Sequence, residues 1–147
     1  MRTKEATLLS EEEYKRYEEH IKPLQHRTWW LSSPGVDDLY VEYIDDRNDE
    51  KKLNSYGVII FDKLSVRPAL IIKCYTKKPG DTFIFGGIKM TIISDSLALA
   101  DEELTMMSFQ EGWDTAYGNN YNKSSIKKYL QRWYRYNRDE FAVNFRK

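Results

Sequence analysis

Residues 28–35, Thr-Trp-Trp-Leu-Ser-Ser-Pro-Gly, constrain this chain more than any other stretch. Two adjacent indoles need a core, and Pro34 cannot continue a strand ladder. Trp29 and Trp30 are therefore predicted on a buried strand that enters a turn at Pro34-Gly35. The region they open closes with Val66-Arg67-Pro68-Ala69-Leu70-Ile71-Ile72, a β-type run. At 147 residues the whole chain, 1–147, reads as a single domain with enough sequence for one substantial core.

Charge and cysteine content narrow the classes of function. Lysine plus arginine and aspartate plus glutamate are balanced at 23 each, so binding to nucleic acid or to an anionic membrane would need local asymmetry. Eleven tyrosines and four tryptophans suit a β-rich core or a contact surface. The single cysteine, Cys74, excludes an internal disulfide and a paired-cysteine zinc site, and its apolar neighbours mark it as a buried, inert thiol. Met1 is followed directly by charged residues, and no run approaches the roughly 18 apolar residues of a membrane span. A cytoplasmic chain with no membrane segment is expected.

Along the chain, residues 6–9 read as a short strand. Ser10-Glu11-Glu12-Glu13 is a capping box that starts a helix; Tyr14, Tyr17 and Ile21 form its buried side, and Pro23 stops it. Residues 39–44 and 56–61 are strand-like, with a polar loop at 45–54 between them. That loop lacks the glycine and spacing of an EF-hand, so its acids read as solvated. Residues 66–75 are predicted as one strand, 77–81 as a turn, and 83–85, 89–93 and 97–100 as short strands. Gly86-Gly87 has neither the lysine-serine of a phosphate loop nor a third glycine, and reads as a meander turn.

Residues 101–107 are read as a short helical turn, and 108–121 as an irregular segment with tight turns. The clearest helix spans about residues 123–136. Ile126, Tyr129, Leu130, Trp133 and Tyr134 form its core stripe, Asn122 or Ser124 caps it, and Lys123, Lys127, Lys128, Arg132, Arg135 and Arg138 lie opposite. Alternating Phe141, Val143 and Phe145 predict a final strand.

The segments Leu8-Leu9-Ser10-Glu11-Glu12-Glu13-Tyr14, Trp29-Trp30-Leu31-Ser32-Ser33-Pro34-Gly35 and Val66-Arg67-Pro68-Ala69-Leu70 resemble an uncharacterised bacterial and phage domain family with LLSEEE, WWLRSPG and VRPAL motifs. That family is similar to the C-type-lectin-like and formylglycine-generating-enzyme fold. The resemblance implies an α+β single domain of short antiparallel strands, two helices and long loops.

The family's FGGxxWxVL strand pair is matched by residues 83–93, with Met90 for the tryptophan. Its NxYxxSxIRxWLN helix is matched by residues 120–130. Both follow the first three motifs here, whereas in the family they precede them. The chain therefore resembles a circular permutation, residues 1–75 corresponding to the family's C-terminal half and 82–136 to its N-terminal half. The permutation implies a hairpin between residues 66–75 and 82–85 and neighbouring chain ends.

The resemblance carries no catalytic set. Cys74 has no cysteine partner for formylglycine chemistry, the calcium-lectin EPN and WND triplets are absent, and His20 and His26 have no paired nucleophile. Arg67 reads as structural, its guanidinium serving buried carbonyls near the tryptophans. No cofactor and no metal are expected, and the chain is not read as an enzyme.

The expected function is protein binding through the loops at 37–52 and 108–121. The candidate contacts are Asp37, Asp38, Asp45, Asp46, Asp49, Glu50, Trp113, Asp114, Asn119, Asn120 and Tyr121. A free-standing permuted module of this kind is expected to be a small intracellular phage or mobile-element inhibitor or adaptor, for example an anti-CRISPR. The alternative is a lectin-like ligand- or receptor-binding module of a virion or cell surface. A third reading is nucleic-acid binding through the basic C-terminal helix. A protein partner is favoured because the acids lie on loops, while the bases share a helix already committed to the core.

Overall fold

The computed structural model describes residues 1–48, 52–73, 76–112 and 115–146, with side chains of the last helix described as far as residue 139. Among these residues, ten strands form two five-stranded sheets accompanied by two helices, an α+β architecture. In chain order the elements are β1 (Arg2–Thr7), α1 (Glu11–Tyr17), β2 (Thr28–Pro34), β3 (Tyr40–Asp45), β4 (Lys52–Ile59), β5 (Lys63–Val66), β6 (Ala69–Lys73), β7 (Thr82–Phe85), β8 (Ile88–Ile92), β9 (Leu97–Ala100), β10 (Thr105–Ser108) and α2 (Ser125–Arg146). One sheet has the order β1-β6-β9-β8-β7 and the other β10-β5-β2-β3-β4. Every pairing is antiparallel except β2 with β5, which meet at Trp29 and Ser65.

Trp29 and Trp30 are fully buried on β2, as their adjacency demands, and they serve different clusters because neighbouring strand residues face opposite ways. Trp30 joins Val41, Val66, Leu70, Phe85, Phe109 and α2's Ile126 and Leu130. Trp29 joins Leu9, Tyr14, Leu31, Ile44 and Leu99 beneath α1. Both clusters draw on both sheets.

Ser10 caps α1 with the reciprocal bonds expected of a capping box: the Glu13 amide donates to Ser10 Oγ at 3.1 Å, and the Ser10 amide to Glu13 Oε1 at 2.9 Å. Ser124 starts α2, its Oγ accepting from the Lys127 amide at 3.1 Å. The stripe of α2 then packs on β1 and β7. Tyr134 Oη meets Thr3 Oγ1 at 3.0 Å, and the Phe85 ring lies 5.7 Å from Tyr134 and 5.2 Å from Trp133.

Four expectations about elements are corrected. Residues 66–73 are not one strand: Arg67-Pro68 divides β5, in one sheet, from β6, in the other, because Pro68 has no amide with which to continue a ladder. Cys74 and Tyr75 lie outside the described residues. No hairpin joins β6 to β7; β9 and β8 lie between them. The turn at 77–81 docks instead on the end of β8, with Gly80 N donating to Ile92 O and Ile92 N to Asp81 O, both at 2.8 Å.

Residues 105–108 form β10, not a helical turn, because β5 offers an open edge whose ladder outweighs a single costly helical turn. The expected strand at residues 141–145 is helical backbone continuous with α2, since no glycine or proline interrupts the chain after Ser125.

Candidate functional site

The loop before β3 is shaped by its own first acid. Asp37 Oδ1 accepts from the Leu39 amide at 2.9 Å and Asp37 O from the Tyr40 amide at 3.2 Å, a compact Asx-type turn. Two further bonds tie the loop down: Gly35 N donates to Tyr40 O at 2.7 Å and Val36 N to Tyr56 O at 2.8 Å. The approach is so close that a Cβ on Gly35 would stand 2.5 Å from Tyr56 O, which only glycine avoids.

The segment at 115–121 folds onto this loop. Asn119 Nδ2 donates to Asp37 O and to Tyr40 O, both at 2.9 Å. Gly118, at φ +50°, brings its Cα so near that a Cβ would lie 2.6 Å from Asp38 O. From beneath, buried Gln110 donates to Gly118 O at 3.3 Å and to Lys123 O at 3.4 Å, holding the irregular segment to the start of α2.

The outcome is one continuous rim on which Val36 (53% exposed), Tyr56 (63%) and Tyr117 (52%) stand out, beside the exposed carboxylates of Asp37 and Asp38. Tyr40 meets Tyr56 edge-on at 5.6 Å, which fixes that ring's direction.

The sequence-derived candidates therefore divide. Asp37, Asp38 and Asn119 come together on the rim. Asn120 lies alongside, where its Oδ1 accepts from the Asn122 amide at 3.0 Å and caps a short 3₁₀ turn. Asp45 lies at the far end of β3, roughly 17 Å away at the rise of a strand, paired with Arg47 at 2.8 Å.

Asp46 is corrected outright. It is 1% exposed, and its Oδ2 accepts from Leu24 N at 2.8 Å and Trp29 Nε1 at 2.7 Å, so it organises the core and cannot meet a partner. Tyr121 is likewise structural: its phenol accepts from Leu8 N at 3.1 Å and from Thr7 Oγ1 at 3.3 Å, and burial raises its pKa. Asp49, Glu50, Trp113 and Asp114 lie outside the described residues. Val36, Tyr56 and Tyr117 escaped the sequence reading; Tyr56 sits in a β-type run whose buried face cannot be assigned before its partner strand is known.

Two buried polar groupings also carry electrostatic weight. Arg67 is 1% exposed where the sheets meet, donating from Nε to Ala100 O at 2.7 Å with its guanidinium 4.8 Å from the Trp29 ring centre. This is the structural role its sequence context predicts. Burial lowers its pKa to about 10, while Asp46 and Asp101 act to raise it.

The second grouping was not visible in the sequence. Glu42 of β3 is 5% exposed under α1, against Glu11, and Lys15 bonds Glu11 at 2.5 Å. Burial, then the hydrogen bond with Glu11, pushes Glu42 up to about 7, while Lys15, followed by the bond to Glu42, holds Glu11 low. An open depression of about 400 Å³ beside the pair is lined by Ser10, Glu11, Glu12, Lys15 and Ser33, with Glu42 walled off beneath. Among the described residues, no group of three or more His, Cys, Asp or Glu side chains is placed to hold a metal ion, and no helix is long and apolar enough to cross a membrane.

The chain matches no family model, no curated protein and no solved structure.

Proposed function

We propose that this chain is a non-catalytic protein-binding module whose contact surface is the rim formed by residues 36–40, Tyr56 and residues 117–119. The observation that carries this reading is the Asn119 amide, which clamps two loops far apart in sequence, so that exposed Val36, Asp37, Asp38 and Tyr117 are carried on joined loops beside exposed Tyr56. Tyrosine offers a large contact area at small cost in side-chain entropy, and a rigidly held loop loses little further freedom on binding. Asp37 and Asp38 favour a partner with a basic patch, steered by charge.

On this reading the module is an inhibitor or adaptor that presents loops as lectin-like folds do. It works in the cytoplasm against a component of its host, for example as an anti-defence protein.

The test is recovery of the partner on a tagged chain, followed by affinity measurement with Tyr56→Ala, Tyr117→Ala and Asp38→Lys. All three side chains are exposed, so folding should persist. Loss of a tyrosine that acts as a hot spot is expected to weaken binding by about thirtyfold, and Asp38→Lys to slow association, chiefly at low salt. Full affinity in all three variants, with loss in Lys128→Glu/Arg132→Glu, would overturn the reading.

A further inference from the structure

The outward side of α2 has a character of its own. Between residues 115 and 138 the chain contains no acidic residue, while Lys123, Lys127, Lys128, Arg132, Arg135 and Arg138 lie within that span. Helical geometry sorts the outward residues into two adjoining rows. Lys128, Arg132 and Arg135 follow at i, i+4 and i+7, and Tyr129, Trp133 and Tyr136 repeat the same spacing one residue on. Lys128, Arg132 and Arg135 are exposed and, among the described residues, engage in no ion pair. The row ends at Asp139, which lies 3.8 Å from Arg138.

The aromatic row is open to a planar ligand. Tyr136 is 86% exposed, the highest value for a large apolar side chain among the described residues. Together with Tyr129, Arg132, Trp133 and Asn137 it lines an open groove of about 290 Å³. Trp133 is held edge-on by Phe85 at 5.2 Å, and Asn137 Nδ2 donates to Trp133 O at 2.8 Å, so the groove floor is fixed. Tyr129 and Tyr136 are about 10 Å apart along the axis at the rise of a helix.

We infer that this face of α2 binds single-stranded nucleic acid, with bases on the Tyr129–Trp133–Tyr136 row and phosphates on the Lys128–Arg132–Arg135 row. A ring exposed beside a guanidinium can stack on an unpaired base of any sequence, and the adjoining cations neutralise the backbone. A duplex keeps its bases stacked on one another and can use only the basic row. A lipid surface would need an apolar face turned outward, whereas Ile126, Leu130 and Tyr134 are already buried in the core. The site is separate from the protein-binding rim and does not depend on it.

Anisotropy with labelled oligo-dT and oligo-U, a duplex of equal length and anionic phosphatidylserine vesicles tests the inference on the intact chain. Single strands are expected to bind more tightly than the duplex, and vesicles not at all. Tyr136→Ala should weaken single-strand binding by about tenfold while leaving thermal melting unchanged. Lys128→Glu/Arg132→Glu should lower the slope of log affinity on log salt by about 1.4, two phosphate contacts at about 0.7 each. Absence of single-strand binding, equal binding to duplex with no effect of Tyr136→Ala, or preference for vesicles would each overturn it.

Discussion

Glu42 is the residue whose environment departs furthest from what its sequence neighbours announce. Within Leu-Tyr-Val-Glu-Tyr-Ile it stands between residues of opposite strand face, and only the arrival of α1 overhead decides that it is buried against Glu11. A carboxyl whose pKa rises in the folded state holds its proton more firmly there than in the unfolded chain. The stability it contributes is therefore fully present below about pH 4.5, its ordinary value, and is lost as pH climbs through about 7. The loss is at most about 3.5 kcal/mol at about 1.4 kcal/mol per pKa unit. Lys15 and Glu11, the charged groups facing Glu42 from α1, titrate outside that window, Lys15 being raised and Glu11 lowered. Urea unfolding at a series of pH values should show wild-type stability declining from pH 5 to 8 by up to that amount beyond Glu42→Gln. Parallel curves for the two proteins would show that Glu42 is not protonated in the fold. Asp46 carries the complementary lesson: an acid in a polar run reads as solvated, yet the amide of Leu24 and the indole of Trp29 need its oxygen inside.

At the scale of elements, local signals were legible wherever the chemistry is local. The capping box placed α1, the tryptophan pair with the Pro34-Gly35 stop placed β2, and the apolar stripe placed α2. What failed depends on partners distant in sequence. Arg67-Pro68 looks like part of one strand until two sheets compete for its flanks. β10 exists because β5 has a free edge, and β6 is separated from β7 because β9, which follows both in sequence, inserts beside it. Of the rim, Asp37, Asp38 and Asn119 were named from the sequence as loop residues, but the Asn119 clamp that joins them spans about eighty residues and was not legible.

Trp30 and Trp133, both part of the same apolar cluster, offer a graded test of this packing. Trp30 is fully buried, with its Nε1 donating to Met107 O at 2.9 Å, so Trp30→Ala should cost about 3–5 kcal/mol in denaturant unfolding. Trp133 is half-buried at the edge of α2, and its replacement should cost about half as much. Equal losses would mean that α2 is seated more deeply than described.

For the whole molecule, neutrality conceals segregation. Lysines and arginines equal the acids in number, yet residues 115–138 carry only bases, while Asp37 and Asp38 mark the rim reached from the other end of the same segment. One stretch of chain thus joins two faces of opposite character, with buried Gln110 fastening it between them. Binding at the rim and binding on α2 are therefore separable by charge, by salt response and by the variants that affect each.

The most direct test of the central claim is amide hydrogen exchange on the chain alone and in complex with its recovered protein partner. Protection on binding is predicted at residues 36–40, 55–57 and 117–120, with amides of α2 unchanged. Protection confined to α2 or to α1, with those three segments exchanging as in the free chain, would contradict the account.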